Sequence, residues 1–155
     1  MTDLPYLPEG RYINYVPDTD PFMIAAQRVA EETSTDLSHP TGAVLVQTAL
    51  SGEEMGGHII GEGSNNAPYH AEFGCERQKL GCATGEGYDK CPGCKPLFHA
   101  EQQAIKDAIM KGQNPQGADL YLWGHWWCCK SCWDIIIKAG VANVYLLEEA
   151  DELFA

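Results

Sequence analysis

The chain has 155 residues, 45% of them apolar and 21% charged, the size and balance of one soluble domain able to bury its own core. Twenty-two acidic against ten basic side chains leave a net charge of −12. Such a surface repels phosphate polymers and argues against tRNA or duplex DNA as substrate, though not against a small nucleotide. No apolar run approaches the roughly 18 residues of a membrane span, and residues 1–10 have neither the basic start nor the apolar core of a secretory signal. A cytoplasmic protein with no membrane partner is expected.

Residues 1–19 hold three prolines and no periodicity, which predicts an irregular lead-in. Asp20-Pro21 then reads as an N-cap followed by proline at the first helical position. Phe22, Met23, Ala26, Val29 and Ala30 follow at helical spacing, to about Glu32. Residues 41–47 and 58–62 are short β-like runs, and the polar, Gly-rich segment between them suits a loose hairpin connection.

Residues 65–98 show neither period and hold Cys75, Cys82, Cys91 and Cys94. The seven cysteines of the chain are odd in number and well below the roughly 8–10% that marks a disulfide scaffold, so metal binding explains their spacing better than disulfides do. Cys91-Pro-Gly-Cys94 resembles a zinc knuckle, in which the turn folds two thiolates toward one point. All four thiolates together would make a closed structural zinc site, clamping a loop with too little apolar content to pack alone. Beyond it, residues 101–111 read as a helix stopped at Gly112 and 118–124 as a strand. Residues 132–140 read as a helix, 141–147 as a buried strand, and 148–155 as a short acidic tail of one helical turn or two. The order is α-β-β-(long loop)-α-β-α-β, an α/β pattern whose second half implies right-handed crossovers and a partly parallel sheet. One domain is expected over 1–155, with the Cys-rich insertion at about 65–98.

The chemistry concentrates in two short stretches that open helices, His99-Ala100-Glu101 and Cys129-Lys130-Ser131-Cys132. One imidazole and two thiolates can hold a zinc ion and leave its fourth tetrahedral position to water. A zinc-bound water has its pKa lowered toward neutrality, which supplies hydroxide for attack on a pyrimidine C4. Glu101 stands close enough to take that proton, deliver it to ring N3 and later protonate the departing ammonia. The positive ends of the two helices favour the thiolate forms of Cys129 and Cys132.

With these residues in view, the chain resembles the cytidine and deoxycytidylate deaminase family, nearest to its deoxycytidylate members. The most specific part is His99-Ala-Glu-Gln-Gln-Ala-Ile105, similar to the family's H-A-E-x-N-A-I, within an H-x-E and later C-x-x-C pattern. The stretches 75–81 and 88–91 also resemble the region before the zinc histidine in deoxycytidylate-type members. The resemblance implies a three-layer α/β/α fold on a mixed sheet of four to five strands, a homo-oligomer, and a nucleoside monophosphate as small-molecule substrate. It makes His99, Cys129 and Cys132 the ligands of a catalytic Zn2+ and Glu101 the proton shuttle. It brings the backbone around Ala100 to the base carbonyl, and Asn66, with Asn65 as the neighbouring alternative, to the sugar. Three features depart from the pattern. Cys128 stands where proline is usual, offering a competing thiol. Trp126 and Trp127 precede it and could stack on a pyrimidine or pack in the core. The chain also ends soon after the strand at 141–147, leaving little sequence for a further helix and strand.

The leading expectation is hydrolytic deamination of deoxycytidylate, dCMP, to dUMP and ammonia. Arg77, Lys79, Lys90 and Lys95 in the long loop are candidate phosphate contacts. The rival readings keep the chemistry on another nucleoside, a modified pyrimidine, a pterin or a guanine-like base, or keep only the zinc-stabilised fold as an interaction module.

Overall fold

The computed structural model describes residues 3–36, 38–48, 57–82 and 86–155, so most of the hairpin connection expected between the first two β-like runs lies outside the described residues. Helix α1, Pro21–Thr33, begins where the sequence places it: the Asp20 carboxylate accepts the N–H groups of Phe22 and Met23, both at 3.0 Å. Such a cap is worth about 1 kcal/mol. Strands β2 (Gly42–Gln47) and β3 (His58–Ser64) pair antiparallel, and β2 also pairs antiparallel with β4 (Asp119–Trp123). Strand β5 (Asn143–Leu147) lies parallel to β4, as expected when a helix joins two neighbouring strands.

The expected irregular lead-in contains a fifth strand, β1 (Ile13–Val16), which pairs parallel with β5 and completes a sheet of order β1-β5-β4-β2-β3. Four residues are too few to display alternation, and the partner strand is remote in sequence, so nothing local announces it.

Helices cover both faces of the sheet. On one, α1 crosses β2, where a Cβ on Gly42 would lie 2.2 Å from the Ala26 carbonyl oxygen. On the other, α4 (Ala100–Met110) lies against β3 so closely that a Cβ on Gly63 would stand 2.3 Å from the Ala104 nitrogen. The core between is built from Val44, Leu45, Leu120, Leu122, Val144 and Leu146 of the strands, with Met23, Ile105, Trp133 and Ile136 of the helices. Helix α5 (Lys130–Lys138) runs from the end of β4 toward β5, and a short α6 (Ala150–Phe154) closes the chain.

The stretch 65–98 is not structureless. It holds helix α2 (Pro68–Phe73), helix α3 (Glu76–Leu80) and three single 3-10 turns, Tyr88–Lys90, Pro92–Cys94 and Pro96–Phe98. Each is too short to show a period, and Cys75, Cys91 and Cys94 form a buried cluster of their own, flanked by Tyr69 and Tyr88.

The tight seating of α4 on β3 is testable. Gly63→Ala forces α4 off the sheet and is expected to cost about 1–3 kcal/mol, read as a lower urea midpoint at unchanged slope.

Candidate active site

His99 is the N-cap of α4 and Cys129 the N-cap of α5, so the two helix N-termini deliver their side chains to one point. His99 Nδ1 stands 3.7 Å from Cys129 Sγ and 3.5 Å from Cys132 Sγ. Tetrahedral zinc with ordinary Zn–N and Zn–S lengths separates such donors by about 3.6 Å. These three residues form one of two donor groups among the described residues with the spacing for a metal ion. The donor set suits zinc, and three protein donors leave a position for a water or substrate atom. Cys128 is not among them. It is 1% exposed, packed in the main core beside Glu101, and burial pushes its thiol well above the usual range.

The other nitrogen of His99 explains its orientation. Nε2–H donates to the Cys94 carbonyl oxygen at 3.3 Å; since a carbonyl only accepts, the proton is on Nε2 and Nδ1 keeps its lone pair for a metal. Tyr88 lies edge-on to the imidazole with ring centroids 4.9 Å apart. The contact with Cys132 holds Cys129 as a thiolate, its pKa drawn down to about 4, with His99 acting in the same sense. Cys132 moves the opposite way, through its hydrogen bond to Cys129 and its burial. Glu101, in the first turn of α4 and 5% exposed, has its pKa raised by burial, partly opposed by His99. A carboxyl raised in this way is suited to take up and return a proton.

The second donor group is His70, Cys75, Cys91 and Cys94, all four buried. His70 Nε2 lies 3.3 Å from Cys91 Sγ and 3.4 Å from Cys94 Sγ, and Cys75 and Cys94 stand 3.5 Å apart. The expected four-cysteine set is therefore corrected, with His70 in the place of Cys82. Helix α2 lays the imidazole across Gly93, where any Cβ would sit 2.5 Å from the ring, and burial lowers the pKa of His70, keeping it neutral. Cys82 follows the left-handed Gly81 that ends α3 and lines the cavity instead. The histidine escapes a search for cysteine spacing because it precedes the first cysteine inside an otherwise unremarkable helix.

The three-donor group opens on a cavity lined by residues from distant parts of the chain, among them Asn65, Arg77, Tyr88, His125 and Trp127. Ala100 and Glu101 form part of the same wall. Asn66, expected at the sugar, is not in this wall and donates to the Thr33 carbonyl at 2.7 Å. Its neighbour Asn65 takes the place, and its side chain ties down the segment before β2. Oδ1 accepts from the Thr41 N–H at 2.9 Å and from the Ser34 hydroxyl, while Nδ2 donates to the His39 carbonyl at 2.8 Å. The tryptophans divide, Trp127 lining the cavity and Trp126 packing against the core. Of the four candidate phosphate contacts only Arg77 reaches the wall, its guanidinium 4.7 Å over Tyr88 and donating to Cys94 Sγ at 3.4 Å. Asp36, His39, Tyr88 and His125 also line the cavity and went unnoticed in the sequence, since no local motif marks them.

A mixed α/β/α sheet with His and two Cys at paired helix N-termini, and a buried glutamate beside them, defines the class of zinc-dependent hydrolytic deaminases. The model of the cytidine and deoxycytidylate deaminase zinc-binding region matches residues 17–148. The chain belongs to that family and is a deaminase. No curated protein matches it significantly.

Solved structures share the fold. The dCMP deaminase of cyanophage S-TIM5 in complex with dCMP and dUMP has a TM-score of 0.54 at 21% identity over 85% of this chain and 84% of that one. The apo form of the same protein gives 0.51 at 20% identity, over 86% of each chain. A diaminohydroxyphosphoribosylaminopyrimidine deaminase/5-amino-6-(5-phosphoribosylamino)uracil reductase from Thermotoga maritima gives 0.47 at 25% identity. The match covers 81% of this chain but only 28% of that one. No helix among the described residues is long and apolar enough to cross a membrane.

The roles of the two asparagines separate experimentally. Asn65→Ala leaves the Thr41 N–H and the Ser34 hydroxyl without their acceptor and is expected to cost about 1–3 kcal/mol. Asn66→Ala, at an exposed site, is expected to stay within about 0.5 kcal/mol. Parallel thermal melts of the two variants decide.

Proposed function

We propose that the protein hydrolyses the exocyclic amine of a cytosine nucleotide, converting dCMP to dUMP and ammonia. The observation that carries this is the buried Glu101 carboxylate in the same cavity wall as His99 and Cys129, with the guanidinium of Arg77 in that wall as well. That the cyanophage neighbour is a dCMP deaminase holding dCMP and dUMP supports the choice of substrate.

His99, Cys129 and Cys132 would hold the catalytic zinc, which when bound would make water a nucleophile near neutral pH. The chain's own residues do the rest. The Glu101 carboxylate takes a proton from the attacking water and passes it to ring N3 as the C4–O bond forms. It then carries the proton of the new C4 hydroxyl to the amine, so that the C4–N bond breaks, ammonia leaves and C4 is left as a carbonyl. The backbone at Ala100 meets the base carbonyl, the Trp127 ring walls the base, and Arg77 neutralises phosphate. Burial of the carboxyl raises its pKa toward the working pH, where donation and acceptance are both available.

The His70, Cys75, Cys91 and Cys94 group takes a second, structural zinc. It fits a closed site: four soft or borderline donors, all buried, with Arg77 donating to one sulfur. Assembly as a homo-oligomer and a cytoplasmic setting belong to the same reading.

Two measurements test it. Glu101→Gln is expected to lower ammonia release from dCMP by about a hundred- to ten-thousand-fold while zinc content holds. A wild type inactive on dCMP and deoxycytidine overturns the reading, and equal kcat/KM on the two removes phosphate recognition. Metal analysis is expected to find two zinc per chain in the wild type and in Cys82→Ser, and one in His70→Ala. Loss of a zinc from Cys82→Ser instead would restore the four-cysteine site.

A further inference from the structure

His125 stands in the turn between β4 and α5, and its surroundings determine which of its nitrogens carries a proton. Nδ1 accepts two backbone N–H groups, from Trp126 at 3.0 Å and from Trp127 at 3.2 Å. An amide N–H can only donate, so Nδ1 bears its lone pair and the proton of the neutral ring is on Nε2. Protonating Nδ1 would break both hydrogen bonds and set two donors against a third. Burial presses the same way, drawing the pKa down to about 4, with His99, Arg77 and His39 adding to the effect.

The ring is part of the cavity wall, together with His99, Glu101 and Arg77, and the Trp127 ring packs edge-on to it at 5.9 Å. Nothing among the described residues accepts from Nε2. The ring thus brings to the cavity wall a single donor, Nε2–H, and no charge. Cytosine nucleotides answer it with acceptor oxygens on the base, the sugar and the phosphate.

We propose that His125 is a substrate-binding residue of fixed tautomer, whose Nε2–H donates to an acceptor oxygen of the nucleotide in the cavity. The inference rests on the cytosine-nucleotide reading above and deepens it. His125 reads the substrate by a neutral hydrogen bond, where Arg77 acts by charge. Its tautomer is enforced by the two tryptophan amides and does not depend on the ligand.

Asparagine provides the decisive variant. Its Oδ1 stands near the place of Nδ1 and keeps an acceptor for the two amides, but it has no donor at the reach of Nε2. His125→Asn is therefore expected to keep wild-type zinc content and melting temperature, while kcat/KM for dCMP falls about ten- to a hundred-fold. His125→Ala should lose both activity and melting temperature. Nitrogen-15 spectra of the histidine rings in the wild type should show Nε2 of His125 protonated and Nδ1 bare, with the Nε2 resonance moving when dCMP is added. A penalty on dCMP but not on deoxycytidine assigns the acceptor to the phosphate, and an equal penalty on both assigns it to the base or sugar.

Wild-type kcat/KM in His125→Asn overturns the proposal, leaving the ring as a brace for the turn. So does a proton on Nδ1, or an Nε2 resonance unmoved at saturating dCMP. A wild type that binds neither dCMP nor deoxycytidine sinks the nucleotide reading and the substrate contact with it. The fixed tautomer then stands or falls on the spectrum of the free protein.

Discussion

One hydrogen bond joins the two halves of the functional region: the Cys94 carbonyl accepts from His99 Nε2. It settles the tautomer of the histidine and turns the remaining nitrogen toward Cys129 and Cys132. Cys94 is itself held in the second donor group, so the geometry of the catalytic centre is inherited from the Cys-rich segment. A loop of so few buried apolar side chains has little else to fix it. The clustered donors do what a hydrophobic core does elsewhere, and they do it directly behind the catalytic imidazole.

The electrostatics follow from the same arrangement. Across a chain of net charge −12, the cavity wall sets the guanidinium of Arg77 beside the carboxyls of Asp36 and Glu101. Acidic groups over the rest of the surface discourage long polyanions, and the one guanidinium in the wall is the group suited to a small anion. Within the wall, burial is the largest cause pushing the Glu101 carboxyl and the His125 imidazole both toward neutrality. One becomes an acceptor and donor by turns, the other a donor only. The difference lies in what surrounds each: the His99 and Cys129 donors in the same wall for Glu101, two amides for His125.

Cys128 shows how a departure from the family pattern is absorbed. Proline stiffens the approach to the first cysteine ligand; here a thiol takes its place, buried and held neutral in the core. Stiffness is restored by other means, since His125 Nδ1 ties down the amides of Trp126 and Trp127 just ahead of it.

From the amino acids alone came the donor group of His99, Cys129 and Cys132 with Glu101 in the same wall, helices α1, α4 and α5, and the α/β order, because each rests on short-range spacing. His99 to Glu101 and Cys129 to Cys132 are fixed offsets at helix starts, and the apolar stripes of the helices repeat within a few residues. What only the folded chain decided are the contacts between distant segments: β1 against β5, His70 beside Cys75, Cys91 and Cys94, and Asn65 and His125 in the cavity wall. Strand β1 is too short to carry a period. Neighbouring asparagines on an extended chain point to opposite sides, so one residue of register decides between them. His70 joins its donor group and His125 the cavity wall only because a helix and a turn, each unremarkable in sequence, are brought there by the closing of the sheet.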